Sequence, residues 1–180
     1  MCIRDRKYLN MVYGGLMKKY IKKAMLKFDG DLEILKNPSY IVIHHTGEIG
    51  WDVYKTHEYH KSLGWKGIGY NYFIEEDGRI IEGRGMHVGA HTKGLNNISI
   101  GICMSGNFDL NYPSEEQRKS LYRLCKIFMN KYSIPIDKVI GHREVEGVNK
   151  SCPGYNFDMN KFRESLSSTF HKMIKALITV

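Results

Sequence analysis

The chain has 180 residues and a formal net charge of +8, from 27 lysines and arginines against 19 acidic residues. Its content of 42% hydrophobic and 26% charged residues is typical of one globular domain that can bury a core. No stretch contains the roughly 20 consecutive apolar residues that a transmembrane helix needs. Four scattered cysteines also exclude a disulfide-rich scaffold.

The positive charge is concentrated near the N-terminus. Residues 1–37 contain nine Lys and Arg against four Asp and Glu, whereas the rest of the chain contains eighteen against fifteen. An anionic polymer or a membrane surface would suit such an excess. The remainder has no dense basic stripe interleaved with aromatics, so we expect no nucleic-acid partner. Lysines interrupt every early apolar stretch, so we expect synthesis in the cytoplasm without a signal peptide.

Residues 1–37 are interpreted as an N-terminal extension, and residues 38–180 as a single α/β domain. The first six residues resemble a translated sequencing adapter and carry no weight in predicting the fold. Residues 16–27 place apolar side chains on one helical stripe with lysines opposite, which predicts an amphipathic basic helix. Such a helix either docks on the domain, which we favour, or lies on an anionic membrane surface.

The α/β domain is predicted to begin with a strand followed by a helix. Residues 40–45 form a short run rich in β-branched residues, which is typical of a buried strand. Asp52 is a good N-cap for a helix that continues to about Leu63. Gly64 is predicted to stop that helix, because glycine adopts the left-handed conformation that ends helices.

A hairpin and a further strand are predicted next. Asp77-Gly78 separates the apolar segments 69–76 and 79–82, and this dipeptide favours a tight turn with positive φ angles. Residues 99–104 form another apolar run, which predicts a second buried strand. Cys103 lies inside that run and is therefore predicted to be a small core residue.

The last third of the chain is predicted to be helix, strand and helix. Ser114 and Gln117 have the spacing of a capping box and open a long helix that reaches about Tyr132. Residues 138–141 predict a short strand, and a C-terminal helix begins near Asp158. Together these elements predict an α/β fold with a single mixed central β-sheet flanked by helices and a helical, basic N-terminal extension.

Two histidines and one cysteine lie where strands end. Adjacent strand residues face opposite sides of a sheet, so at most one of His44 and His45 can point at a given site. His142 follows another strand, and Cys152 lies in a polar loop ten residues later. Two imidazoles and a thiolate suit Zn²⁺. Spacing alone leaves this set as one candidate among several, because His44 and His142 are far apart in the sequence.

A series of short motifs, taken together and in order, resembles one family. The chain is similar to the type 2 N-acetylmuramoyl-L-alanine amidases and the peptidoglycan recognition proteins, whose fold is shared by bacteriophage lysozymes of amidase type. The similarity runs over about residues 38–165. The motifs are VIHHT at 42–46, IGYNYFI at 68–74, EGR at 82–84, GAHTKGLN at 89–96, SIGI at 99–102, GNF at 106–108, and GHREV at 141–145 through KSCPG at 150–154.

The resemblance implies the roles of five residues. His44, His142 and Cys152 correspond to the zinc ligands of the family. Tyr70 and Lys150 correspond to catalytic positions, where a hydroxyl and an ammonium group can stabilise negative charge on the carbonyl oxygen of the attacked amide. Without the family, the ordinary interpretations are a packed strand aromatic for Tyr70 and a solvated loop cation for Lys150.

The resemblance also implies a set of substrate contacts. The glycine-flanked motif that contains His91 lines the substrate cleft in similar proteins, although a role in packing the loop is the alternative. Weaker candidates for contacts to the muropeptide are Arg84, Thr92 and Asn96. His60 is predicted to be a packing residue of the first helix, and His57 is predicted to be exposed.

The leading functional hypothesis is a zinc-dependent endolysin of phage or prophage origin, which cleaves the bond between N-acetylmuramic acid and L-alanine. Its partner is bacterial peptidoglycan, reached after another protein opens the membrane, and we expect a monomer. One alternative is a cytoplasmic amidase that recycles soluble muropeptides. Another is a non-catalytic recognition or regulatory protein, against which the presence of Cys152 and Lys150 argues.

Overall fold

The computed structural model describes residue 15 and residues 19–167. Their centre is a six-stranded sheet with the strand order β1-β4-β3-β5-β2-β6. All neighbouring strands are parallel except β3 and β4, which form an antiparallel pair. The predicted mixed sheet flanked by helices is therefore confirmed. The strands are β1 (Ile21–Lys23), β2 (Tyr40–His45), β3 (Tyr72–Ile74), β4 (Ile80–Glu82), β5 (Ser99–Met104) and β6 (Val139–Gly141).

Helices cover both faces of this sheet. Helix α1 (Val53–Ser62) lies on one face, and helix α2 (Glu115–Tyr132) lies on the other. A third helical segment, α3 (residues 159–167), packs beside α2 through Met159, Phe162 and Leu166. Within the described ranges, no helix is both long enough and apolar enough to cross a membrane.

The two faces bury different clusters. The larger cluster joins alternate residues of β2 and β5, such as Ile43 and Ile102, to α2 and α3. Phe128 of α2 packs against Tyr72 of β3, with 4.9 Å between the ring centroids. The smaller cluster lies on the α1 face and consists of five buried residues: Val53, Ile68, Phe73, Ile81 and Cys103.

Local sequence signals explain where both long helices begin and where α1 ends. The Asp52 carboxylate accepts a hydrogen bond from the Lys55 amide at 2.8 Å, which caps the N-terminus of α1. Gly64, with φ +81°, follows its last turn, as predicted. The predicted capping box of Ser114 and Gln117 is present at the start of α2. These boundaries are confirmed because capping depends on residues close together in the sequence.

The hairpin between β3 and β4 is confirmed, but its turn is longer than the predicted two-residue turn. Ile74 pairs with Ile80, so five residues connect the strands. Gly78 has φ +82°, whereas the Asp77 carboxylate accepts a hydrogen bond from the Arg79 amide at 3.0 Å. The Asp-Gly pair therefore closes the loop through one left-handed glycine and one side-chain acceptor.

The helix predicted over residues 16–27 is wrong for its second half. Residues 21–23 form β1, which pairs in parallel with β4, and residues 24–27 have no regular secondary structure. Met25, predicted on the apolar stripe, is 95% exposed. The free edge of β4 offers unpaired backbone groups, and pairing with them overrides the helical periodicity. Part of the extension is thus a strand of the central sheet. Residues 16–18 lie outside the described residues.

The C-terminal part brings His142 to the edge of the sheet. Strand β6 starts one residue later than predicted, because residues 136–138 form a 3-10 turn. The Asp158 carboxylate accepts hydrogen bonds from the amides of Asn160 and Lys161, which confirms the predicted helix start. The part of this predicted C-terminal helix that would follow residue 167 lies outside the described residues.

Candidate metal centre

Three predicted metal ligands meet at one edge of the sheet. β2 and β6 are adjacent parallel strands, with Ile43 paired to Gly141, so His44 and His142 follow from neighbouring strand ends. Their ring centroids are 4.6 Å apart. The Cys152 sulfur is 3.6 Å from His44 Nδ1, and the ligand atoms of all three residues lie within 4.8 Å of one another. His45 points to the opposite face, where its Nδ1 accepts a hydrogen bond from the Phe108 amide.

Arg143 holds the loop that carries Cys152. Its guanidinium donates to the carbonyl oxygens of Ser151, Gly154 and Phe157, at 3.1, 2.6 and 2.8 Å respectively. Its backbone amide donates to the Cys152 carbonyl at 2.7 Å. The loop thus folds around one charged side chain, which fixes the position of the sulfur. In the sequence, Arg143 is distinguished only as part of the GHREV motif at 141–145.

Burial keeps both candidate histidine ligands neutral. It lowers the pKa of His44 well below 6.5, with smaller contributions from the neighbouring histidines and Lys150. Burial, and then the charge of Lys150, lower the pKa of His142 to about 4. Neutral imidazoles are the form that binds metals. Burial raises the pKa of the Cys152 thiol to about 12, so a bound cation is needed to hold it as a thiolate.

The donor set fits Zn²⁺. Two imidazoles and one thiolate match the borderline-soft character of this ion, and a set of three protein ligands is typical of catalytic zinc sites. Hard ions such as Mg²⁺ and Ca²⁺ prefer oxygen ligands, and none of the three ligands provides one. Among the described residues, this is the single group of three or more His, Cys, Asp or Glu side chains that could hold a metal.

Tyr70 and Lys150 lie beside the three ligands. The Tyr70 ring is 5.1 Å from the His44 ring between centroids, and 5.4 Å from that of His60. Burial, and next the thiol of Cys103, raise the pKa of the Tyr70 hydroxyl well above its usual value. The hydroxyl therefore stays protonated and able to donate. Lys150 is exposed, and its positive charge is near enough to lower the pKa of His142.

The motif around His91 is folded behind the metal ligands. His91 is only 8% exposed, and its Nδ1 is 3.0 Å from His44 Nε2. The Thr92 hydroxyl is 3.1 Å from the same nitrogen of His91. The Asn96 side-chain oxygen accepts hydrogen bonds from the amides of His91 and Thr92. These three residues contact one another and His44, and their predicted contacts to substrate stay a prediction.

Arg84 is also buried, with 8% exposure. Its side chain donates to the carbonyl oxygens of Ile68 and Val88, at 2.7 and 3.0 Å. Because Ile68 precedes the Gly-Tyr pair that carries Tyr70, Arg84 braces the segment on which a predicted catalytic residue lies. Its predicted contact to the muropeptide stays a prediction.

Two buried histidines connect α1 to that same segment. His60 Nδ1 accepts a hydrogen bond from the Gly69 amide at 2.9 Å, which agrees with its predicted packing role. The predicted exposure of His57 is wrong, because this residue is 2% exposed. Its two ring nitrogens bond the Ile68 amide and the Lys27 carbonyl, so burial leaves neither unpaired. Its spacing from Val53 and His60 on α1 could have indicated the buried face.

Comparisons with known proteins agree with this geometry. A sequence model of the N-acetylmuramoyl-L-alanine amidase family matches residues 35–155. The chain is similar to the endolysin of Escherichia phage T7, with 36% identity over 114 residues that cover 59% of this chain and 71% of that protein. It is also similar to peptidoglycan-recognition protein SC2 of Drosophila melanogaster, with 36% identity over 129 residues covering 66% and 69%.

A search by fold also finds amidases of this family. The solved structure of the endolysin N-acetylmuramoyl-L-alanine amidase LysCS from Clostridium intestinale URNW matches with a TM-score of 0.76 and 35% identity. The match covers 81% of this chain and 94% of LysCS. The family model spans more than half of the chain and includes all three ligands of the candidate metal centre. The chain therefore belongs to the N-acetylmuramoyl-L-alanine amidase family and is an amidase of that kind.

Proposed function

We propose that this amidase is a zinc-dependent endolysin of phage or prophage origin that cleaves the bond between N-acetylmuramic acid and L-alanine in peptidoglycan. The observation that carries the zinc dependence is the convergence of His44, His142 and Cys152, whose ligand atoms lie within 4.8 Å. The similar endolysins of Escherichia phage T7 and Clostridium intestinale support the lytic role. Peptidoglycan is the partner, and the protein acts as a monomer.

Each residue of the site has a distinct part in this reaction. His44, His142 and Cys152 hold the ion, which when bound supplies Lewis-acid activation of water and of the amide carbonyl. Attack on the carbonyl carbon places negative charge on its oxygen. The Tyr70 hydroxyl and the Lys150 ammonium stabilise that charge, and the loss of one such donor costs about 3 kcal/mol in comparable sites.

The departing amine of L-alanine must gain a proton before it leaves. The proposed source is the Tyr70 hydroxyl, which burial keeps protonated at neutral pH, or a water molecule that this hydroxyl orients. Lys150 is the second donor in this scheme. It is exposed and lies two residues before Cys152, and its charge acts on His142.

Product analysis tests the chemistry. The purified protein, incubated with isolated sacculi, should release free N-terminal alanine without creating new reducing sugar ends. A chelator should abolish the release, and added Zn²⁺ should restore it. Loss of activity in Cys152→Ala, with unchanged circular dichroism, would tie the chemistry to the metal centre. New reducing ends would instead indicate a glycosidase, and release unaffected by chelation would refute the zinc dependence.

The choice of substrate tests the biological role. An endolysin should hydrolyse intact sacculi faster than soluble muropeptides, whereas a recycling amidase should show the reverse preference. We also propose that the lysine-rich residues 16–27 contact an anionic membrane or wall surface. Replacing the exposed Lys22, Lys23 and Lys27 by glutamine, which keeps strand β1 and the Lys27 carbonyl in place, should weaken binding to sacculi at low salt and leave hydrolysis of a soluble muropeptide unchanged. Unchanged binding at low salt would refute that contact.

A further inference from the structure

The two nitrogens of the His44 ring face different partners. Nδ1 is 3.6 Å from the Cys152 sulfur, and for this reason we assign it to the group of candidate ligand atoms. Nε2 points away from that group and lies 3.0 Å from Nδ1 of His91. If Nδ1 gives its lone pair to a metal, Nε2 must carry the hydrogen of the neutral ring. His44 Nε2–H then donates to His91, whose Nδ1 must be the acceptor.

The hydrogen bond at the other ring nitrogen of His91, Nε2, is consistent with Nδ1 being an acceptor. Its Nε2 lies 3.4 Å from the Ser99 hydroxyl oxygen. That hydroxyl already donates its hydrogen to the Leu95 carbonyl at 2.6 Å, so towards His91 it can only accept. His91 therefore carries its hydrogen on Nε2, and its Nδ1 is the acceptor that faces both His44 Nε2 at 3.0 Å and the Thr92 hydroxyl at 3.1 Å. The bonds run in one sense from His44 through His91 and Ser99 to the backbone of Leu95.

The position of the His91 ring is fixed by its surroundings. Two glycines, Gly89 and Gly101, lie so close to the ring that a Cβ at either position would clash with its Cδ2 atom. The Asn96 side chain holds the backbone amides of His91 and Thr92. Ring position and hydrogen-bond direction are thus both set before any ligand arrives.

We propose that His91 is a positioning residue that fixes the orientation and tautomer of His44 so that Nδ1 is presented to the metal. This inference rests on the proposed zinc dependence and goes beyond it, because it gives His91 a role in metal affinity in place of a contact to the muropeptide. Hydrogen-bond partners of metal-bound histidines commonly change metal affinity by 10- to 100-fold.

A matched pair of substitutions tests the role of the Nδ1 acceptor. The side-chain oxygen of asparagine can occupy the place of a histidine Nδ1, whereas the longer glutamine reaches the place of Nε2. We expect His91→Gln to weaken zinc binding by about 10- to 100-fold. His91→Asn should retain affinity within a few-fold of the native protein. Affinity is measured by competition with a chromophoric chelator, without any substrate.

Two further measurements separate positioning from general damage. The midpoint of thermal unfolding in excess chelator should be similar for both variants, so that a difference in zinc affinity is not a difference in folding. Ser99→Ala removes the hydroxyl acceptor of His91 Nε2–H and keeps the Ser99 backbone, which also bonds this ring, so it should weaken zinc binding in the same direction by a smaller factor. This variant decides the question if His91→Gln does not fold.

The outcomes distinguish this inference from the proposed function. Equal zinc affinity in the native protein, His91→Gln and Ser99→Ala would overturn the positioning role, as would equal losses in His91→Gln and His91→Asn. A raised KM for muropeptide with native zinc affinity would make His91 a substrate contact instead. A native protein that binds no zinc would refute the proposed zinc dependence itself, whatever the variants do.

Discussion

The two faces of the central sheet bury different kinds of side chain. The face under α2 is packed with aliphatic and aromatic side chains from β2, β5 and α2. The face under α1 has a small apolar cluster and, around it, four buried histidines: His44, His57, His60 and His91. A buried polar ring is tolerated only where its buried nitrogens have partners, and among the described residues no buried side-chain nitrogen lacks one.

This difference assigns stability and chemistry to different sides of one sheet. Burial of apolar side chains on the α2 face stabilises the folded state, and this stabilisation does not depend on the orientation of the contacting groups. Hydrogen bonds and ligand atoms on the α1 face depend on position and protonation. Substitutions on the α2 face should thus change the free energy of unfolding, and those on the α1 face should change zinc affinity, turnover or pH dependence.

The largest expected effect comes from a pair of cysteine substitutions. Cys152→Ala should remove a metal ligand and reduce hydrolysis of sacculi to the background rate. Cys125→Ala is the matched control, because Cys125 is a fully buried thiol on α2 in the α2-face cluster. It should keep its zinc content and its turnover. Metal content and alanine release are measured for both. Zinc retained by Cys152→Ala with full activity would contradict the assigned metal centre.

A core substitution on the α2 face should act on stability alone. Phe128 is fully buried against Tyr72, and truncation of a buried phenylalanine costs about 3–5 kcal/mol. We expect Phe128→Ala to lower the free energy of unfolding in urea by that amount. The turnover of the folded fraction at low temperature and its zinc affinity should stay native. A loss of zinc affinity in the folded variant would show that the two faces are coupled.

The next comparison is between two tyrosines that are two residues apart in the sequence but lie on opposite faces of the sheet. Tyr70 lies on the α1 face beside His44, whereas Tyr72 lies in the α2-face cluster. Tyr70→Phe removes the proposed donor and should lower kcat by about 10²- to 10³-fold. Tyr72→Phe should leave kcat unchanged. Rates on a soluble muropeptide and zinc content are measured together, and equal effects of the two substitutions would contradict the role of the Tyr70 hydroxyl.

The sequence predicted the α2 face better than the α1 face, for physical reasons. Helix α2 is specified by its capping box and apolar spacing, which are local features. β1 was missed because an open edge of β4, distant in sequence, decides its conformation. The burial of His57 could have been predicted from its spacing on α1, but its partners, the Ile68 amide and the Lys27 carbonyl, are brought together only by folding.

The metal ligands show the same limit more sharply. Composition and spacing made His44, His142 and Cys152 candidates, but the separation of His44 from the other two carries no local signal. The family resemblance selected them, and the pairing of β2 with β6 supplies the physical reason for their convergence. The chain of hydrogen bonds through His91 had no signal in the sequence, since it depends on ring orientations rather than on residue types.

The smallest effect we expect is a dependence of stability on pH through His60. Its Nδ1 accepts from the Gly69 amide, and burial lowers its pKa to about 4, with Arg84 as the next cause. In the unfolded chain the pKa is about 6.5. Its contribution to stability is therefore complete above pH 6.5 and is lost as the pH falls from 6.5 towards 4. For one group this amounts to about 2 kcal/mol by pH 5.

His60→Asn isolates that contribution. The asparagine oxygen can accept from the Gly69 amide in place of Nδ1, and it does not titrate. The free energy of unfolding is measured in urea between pH 7.5 and 4.5, in excess chelator so that metal release does not contribute. The variant should lose less stability than the native protein on acidification, because the other buried histidines are common to both. If the free energy of unfolding falls equally with pH in the variant and the native protein, His60 does not contribute to the loss of stability in acid.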